Sequence, residues 1–169
     1  ACRAGTYTNQ EGAASCTDCE PGKIASADHT SCEECSAGEF VFNQSSCELC
    51  PRGQYAPRAL QDACIPCTEG FENDAPGQAA CTACPPGTYA SASGTMACAP
   101  CPAGSAQGAF GQTSCSPCVA GSHYSAETGA TSCSTCTVGR YSASGGATAC
   151  LERDASSATF TASIYIFVI

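Results

Sequence analysis

Residues 84–98 read Cys84-Pro85-Pro86-Gly87-Thr88-Tyr89-Ala90-Ser91-Ala92-Ser93-Gly94-Thr95-Met96-Ala97-Cys98, and this stretch decides the fold. It opens on Cys-x-x-Gly-x-aromatic, passes through a short polar run, and closes on Gly-x-x-small-Cys. A glycine fixed between a cysteine and an aromatic marks a backbone position of positive φ, or a place where chains pass too closely for a Cβ. The second glycine reads as a turn that brings the chain back.

Outward from this stretch the unit recurs nine times, once in about seventeen residues. The glycine three residues after the cysteine is Gly5, Gly22, Gly38, Gly53, Gly70, Gly87, Gly104, Gly121 and Gly139. The aromatic two residues further on is Tyr7, Phe40, Tyr55, Tyr89 or Tyr141; Ile24 replaces it once, and Phe71 and Tyr124 stand one position out of place. The turn glycine is Gly12, Gly77, Gly94, Gly111, Gly129 or Gly146 in six of the units. Two short extended stretches joined by a turn fit this length. No window holds a sustained 3.6-residue apolar period, and Gly and Pro interrupt every long stretch, which excludes long helices. The expected fold is small, disulfide-rich and mostly irregular with short β-hairpins, an elongated tandem-repeat rod whose modules touch only their sequence neighbours. Residues 1–150 make nine single-disulfide modules; residues 151–169 make a polar linker and a C-terminal apolar β-strand.

Composition agrees. The 43% hydrophobic content is dominated by 30 Ala and 18 Cys, whereas Leu, Ile, Val and Phe together number 18 of 169 residues. That is too little large apolar volume for a conventional core. Low hydrophobicity with a net charge of −9 would otherwise favour disorder, so the cysteines must supply the order. So many thiols persist as disulfides only in an oxidising compartment, which places the chain outside the cell, secreted or at the cell surface. The acidic balance argues against nucleic acid and anionic membranes as partners. The chain begins Ala1-Cys2-Arg3, so a leader is expected to have been removed, or the segment to have been excised.

The cysteines fall into Cys-x-x-Cys pairs except at the two ends of the array, where Cys2 and Cys150 stand alone. If each Gly-aromatic loop is closed by its own bridge, the pairs are Cys2–Cys16, Cys19–Cys32, Cys35–Cys47, Cys50–Cys64, Cys67–Cys81, Cys84–Cys98, Cys101–Cys115, Cys118–Cys133 and Cys136–Cys150. Bonding inside the Cys-x-x-Cys pairs strands Cys2 and Cys150. Grouping those pairs into four-cysteine zinc sites, whose spacing they also match, strands the same two.

Segments such as Cys84-Pro85-Pro86-Gly87-Thr88-Tyr89 and Cys101-Pro102-Ala103-Gly104 resemble the ephrin-receptor-like cysteine-rich repeats. They are similar also to the first module of tumour-necrosis-factor-receptor cysteine-rich domains, where one local bridge closes such a loop. The resemblance spans residues 2–150. It implies an extracellular repeat architecture of a kind found in receptors, in matrix and adhesion proteins, and in protist surface and flagellar-hair proteins. The interlocked bridges of the receptor domains are not evident.

Chemistry-bearing residues are few. Asp18, Glu20, Glu33 and Glu34 lack a calcium ladder and read as solvated carboxylates. His29 and His123 have no nucleophile or acid beside them in sequence, so no enzyme, metal or cofactor is expected. Asn43-Gln44-Ser45 is an N-glycosylation sequon, making Asn43 a candidate glycan site. Residues 160–169 are β-branched and aromatic without Gly or Pro. Phe160, Ile164, Tyr165, Ile166, Phe167, Val168 and Ile169 are expected to form an assembly strand, too short to span a bilayer, that adds to a neighbouring subunit. The expected function is a structural subunit of an extracellular fibre or surface assembly. The expected partners are copies of the chain or related cysteine-rich subunits. The alternative is a ligand-binding or adhesion ectodomain of a receptor-like protein.

Overall fold

The computed structural model describes residues 2–153, which form nine consecutive modules with nine antiparallel hairpins and no helix among those residues. The bridges are Cys2–Cys16, Cys19–Cys32 and Cys35–Cys47 in modules 1 to 3. Modules 4 to 6 hold Cys50–Cys64, Cys67–Cys81 and Cys84–Cys98. Modules 7 to 9 hold Cys101–Cys115, Cys118–Cys133 and Cys136–Cys150. No cysteine is free.

Each module starts with a tight turn. In module 6 the Thr88 N–H donates to the Pro85 carbonyl at 3.1 Å, and Gly87 at the third position has φ +84°. That is the geometry of a type II turn, which needs positive φ there and favours proline just before, as Pro86 is. Strand Thr88–Tyr89 then leaves the turn and pairs with Ala99–Pro100 in the register Thr88↔Pro100, Tyr89↔Ala99. The return strand is therefore the two-residue spacer between Cys98 and Cys101, and the stapled loop bulges between the two strands. The Cys101 N–H closes the hairpin on the Gly87 carbonyl at 2.8 Å. Pro100 sits beside that hydrogen-bonded rung, where an antiparallel ladder does not require its missing N–H.

The modules interlock beyond their nearest neighbours, which corrects the expectation of contacts between sequence neighbours alone. Three backbone hydrogen bonds tie adjacent modules. The Gly53 N–H of module 4 donates to the Asn73 carbonyl of module 5 at 2.8 Å, and the Ala56 N–H donates to the Gln78 carbonyl at 3.1 Å. In return the Gly77 N–H donates to the Cys50 carbonyl at 2.8 Å. The same trio recurs along the array, for example Gly104 to Ser125, Gln107 to Ala130 and Gly129 to Cys101. Over these bonds the turn of one module reaches the module two before it: a Cβ on Gly53 would overlap the carbonyl of Gly94 in module 6, and one on Gly87 that of Gly129 in module 8. Backbone here lies on backbone, and only glycine leaves the room.

The core is a column of sulfur and small side chains. Cys35, Cys50, Cys67, Cys84 and Cys101 are 0% exposed and Cys118 1%. Ala56, Ala90, Asn73 and Ser125, each just after the aromatic position, are buried with them. The opening cysteines of the end modules, Cys2, Cys19 and Cys136, are only part-buried. The aromatic Tyr55, Tyr89 and Tyr141 are half-buried along the side of the stack.

Departures from the repeat are compensated locally. In module 8 Ser122 is an extra residue after Gly121, and the closing bond moves from the glycine carbonyl to that of Ser122 at 2.7 Å. This one-residue shift returns Tyr124 to the aromatic position, opposite Ser134. In module 5 Phe71 stays one place early, opposite Ala83, and Glu72 takes the aromatic position. Its carboxylate accepts from the Cys98 N–H of module 6 at 2.6 Å. Modules 2 to 4 lack the turn glycine, and His29, Asn43, Gln44 and Leu60 adopt positive φ in its place, from 50° to 65°. Asp62 of module 4 adds a side-chain tie across two modules, its Oδ1 accepting from the Gly22 N–H at 2.9 Å.

Candidate functional site

The structure places the eighteen cysteines in a structural column rather than around a ligand, and among the described residues no group of three or more His, Cys, Asp or Glu converges on a metal-sized space. His29 Nδ1 lies 3.0 Å from the Thr6 carbonyl, bridging modules 2 and 1. His123 Nδ1 lies 2.8 Å from its neighbour Ser122 Oγ. Each histidine has a local partner, His29 a backbone carbonyl of the neighbouring module and His123 the exposed hydroxyl of the residue before it.

The candidate glycan site Asn43 sits in a two-residue hairpin turn. Asn43 and Gln44 have φ 50° and 57°, and the Ser45 N–H donates to the Phe42 carbonyl at 3.1 Å, a type I′ arrangement. Asn43 is exposed, while the neighbouring Gln44 packs on Gly5 of module 1. The candidate assembly strand, residues 160–169, lies outside the described residues.

Charge divides the surface. Twelve of the 15 carboxylates and four of the 6 cations lie in residues 1–74, and residues 75–126 contain no Asp, Glu, Lys or Arg at all. Composition alone holds this asymmetry, and the net charge of the whole chain conceals it. In the acidic part, Lys23 lies between Glu20 at 3.2 Å and Glu34 at 3.6 Å, and these carboxylates, Glu20 first, raise its pKa. Asp28 accepts from Ser26 Oγ at 2.6 Å, Thr30 Oγ1 at 2.8 Å and the Thr30 N–H at 3.1 Å. These donors, the Ser26 hydroxyl first, pull its carboxyl down to about 2. The adjoining concavity between modules 1 and 2, about 500 Å³ and bordered by Glu11, Gly12 and Asp28, is wide open to solvent. The uncharged part exposes separate apolar side chains instead: Met96 at 54%, Phe110 at 65% and Val119 at 69%.

The family model described as tyrosine-protein kinase ephrin type A/B receptor-like matches residues 38–77, 75–108 and 87–132. These spans cover most of module 3, modules 4 to 7 and most of module 8, the run in which the glycine interlock is most regular. No curated protein matches the chain.

Proposed function

The chain belongs to the ephrin-receptor-like family of cysteine-rich repeats, and from that premise we propose that it is a stiff structural segment of an extracellular assembly, spacing or linking proteins at a cell surface or in a matrix. The family match supports an ectodomain-type repeat array. The stiffness is carried by one observation: from module 3 to module 9 each module is bonded to the next through three backbone hydrogen bonds, and modules 3 to 7 are each packed through glycine on the module two further on. Beads on flexible linkers tumble; modules whose linkers are themselves return strands cannot. The nine stapled loops take over the stabilising role of an absent apolar core, about 3 kcal/mol for each loop of this size on the chain-entropy account.

One further feature supports a role in assembly: the apolar run of residues 160–169 suits contact with a neighbouring chain. The second reading, a ligand-binding or adhesion ectodomain, draws on the family match and on the uncharged stretch with exposed Met96, Phe110 and Val119.

Small-angle scattering of the secreted chain tests the first reading. A stiff profile that does not change with ionic strength supports it; a flexible-chain profile overturns it. Truncation after Glu152 separates the two readings. Lost assembly with intact bridges supports the structural role, and an unchanged monomer that still binds a partner protein supports the receptor role.

A further inference from the structure

We propose that Asn43 carries an N-linked glycan whose first sugar packs on the ring of Phe42. This rests on the extracellular reading above, since N-glycan addition belongs to the secretory pathway.

The chain has three asparagines, Asn9, Asn43 and Asn73, and each occupies a different kind of place. Asn73 is 4% exposed, and its side-chain amide donates to the Gln54 carbonyl at 2.8 Å, tying module 5 to module 4. Asn9 is exposed, but Glu11 stands two residues on and offers no hydroxyl. Asn43 is exposed and has Ser45 at that position, the hydroxyl that completes the acceptor sequence.

Module 3 is shaped to present this site. Its strands Glu39–Phe42 and Ser46–Leu49 are four residues each, against two or three in the other modules. Its bridge spans 12 residues, against 14 in most modules, so the stapled loop is drawn into one regular hairpin with Asn43 at the tip. Gly38, through which module 3 packs on module 5, lies at the base of the same hairpin, with a whole strand between. A glycan on the tip therefore leaves the interlock undisturbed.

Attachment is a substitution without change of oxidation state. Asn43 Nδ2 displaces a lipid pyrophosphate from the anomeric carbon of an N-acetylhexosamine in a lipid-linked oligosaccharide. One N–C bond forms, one C–O bond breaks, and Nδ2 gives up a proton. Beside the new bond stands an aromatic face. Phe42 is 43% exposed, and its ring meets that of Phe40 edge to face, with centroids 6.4 Å apart and planes at 81°. A pyranose has an apolar face of C–H bonds, which suits the negative face of an aromatic ring. Alternation, which sends neighbouring side chains to opposite sides, requires extended backbone and stops at Phe42, because Asn43 has φ 50°. A sugar on Asn43 is thus within reach of the Phe42 ring, and covers an apolar surface that water otherwise wets.

The test is the full chain secreted from a eukaryotic cell under a supplied signal, beside Asn43→Gln, Ser45→Ala and Ser45→Thr. We expect an intact mass above that of the polypeptide by one N-glycan. The excess vanishes with the amidase that cuts the Asn–sugar bond, and peptide mapping finds the resulting aspartate at position 43. Asn43→Gln and Ser45→Ala lose the excess, whereas Ser45→Thr keeps it. A secreted, fully bridged chain with bare Asn43 overturns the proposal and leaves the repeat-array reading standing. The Phe42 contact is read by trimming the glycan to its first sugar and comparing with chain made while donor synthesis is blocked. Exchange of the Ser45 amide, bonded to the Phe42 carbonyl at 3.1 Å, should be slower in the trimmed chain by about threefold or more. Phe42→Ser should erase that difference; equal exchange with Phe42 in place overturns the packing of sugar on ring.

Discussion

The carbonyl oxygen of Gly94 occupies the volume that a Cβ on Gly53 would need, although a whole module lies between them in the chain. Gly12 has nearly the same backbone conformation, φ +76° against +79°, and open space around it. The pair separates two reasons for glycine that usually come together. Gly12→Ala should cost only the left-handed conformation, about 1–2 kcal/mol. Gly53→Ala should cost that and the displacement of module 6, about 3 kcal/mol or more. Chemical denaturation of the two variants side by side checks the difference; equal losses would mean that the second-neighbour packing contributes nothing.

Leu60 offers the reverse experiment. It holds the turn position of module 4 at φ +65° without being glycine, and its backbone lies against Gly22. Leu60→Gly should stabilise module 4 by up to about 1 kcal/mol, because relief of the left-handed strain exceeds the added freedom of the unfolded chain. Hydrogen exchange of the Leu60 amide, bonded to the Cys35 carbonyl at 3.2 Å, reads this locally as slower exchange.

The glycine register, the hairpins and the local pairing of cysteines were legible because each is written within one module. A glycine three residues after the cysteine supplies the positive φ that the opening turn needs in every module, with or without a proline beside it. The second-neighbour interlock was not legible, since nothing in the spacing of Gly53 says which distant carbonyl will sit on it. The role of the two-residue spacers as return strands was hidden too: Ala99-Pro100 carries a proline, which argues against a strand except at an edge. Tyr124 read as misplaced because the inserted Ser122 that corrects it is a change in chain path, and the alignment shows only an offset.

Asp62 tests how the irregular N-terminal modules are held. Its carboxylate accepts from the Gly22 N–H at 2.9 Å across two modules. Asp62→Ala should leave that amide without its charged partner and cost about 1–2 kcal/mol. Amide exchange should quicken at Gly22 and stay unchanged in modules 6 to 9; a uniform change along the array would contradict a local tie.

Asp28 predicts a narrow acid sensitivity. Its carboxyl is held down to about 2 by Ser26 and Thr30, against 3.8 in a free chain. A depressed carboxyl contributes stability that is complete above the free value and is lost as pH falls through the folded one, here between about 4 and 2. The side-chain carbon resonance of Asp28 should titrate near 2. Opening of the 26–31 turn should follow it, and Asp28→Asn should abolish the step.

Burial also orders the bridges by their resistance to reduction. The opening sulfur residues Cys50, Cys67, Cys84 and Cys101 are fully enclosed, while Cys2 and Cys136 are not. Thiol–disulfide exchange requires access of the attacking thiolate. Mild reductant followed by alkylation and mass spectrometry should label Cys2–Cys16 and Cys136–Cys150 before the interior pairs. Simultaneous labelling of all nine would show that the stack unfolds as one unit first.

The placement of each bridge within its own module has a mechanical meaning. A load applied to the two ends bypasses every stapled loop, crossing only the bridges, with Cα separations of 5.4 to 5.8 Å, and the short links between them. Even with all hydrogen bonds torn, the span from Cys2 to Cys150 reaches only about 135 Å, against about 500 Å for the reduced chain. Under tension the array is a tether of fixed maximum length, and the redox state of its surroundings decides whether that limit holds.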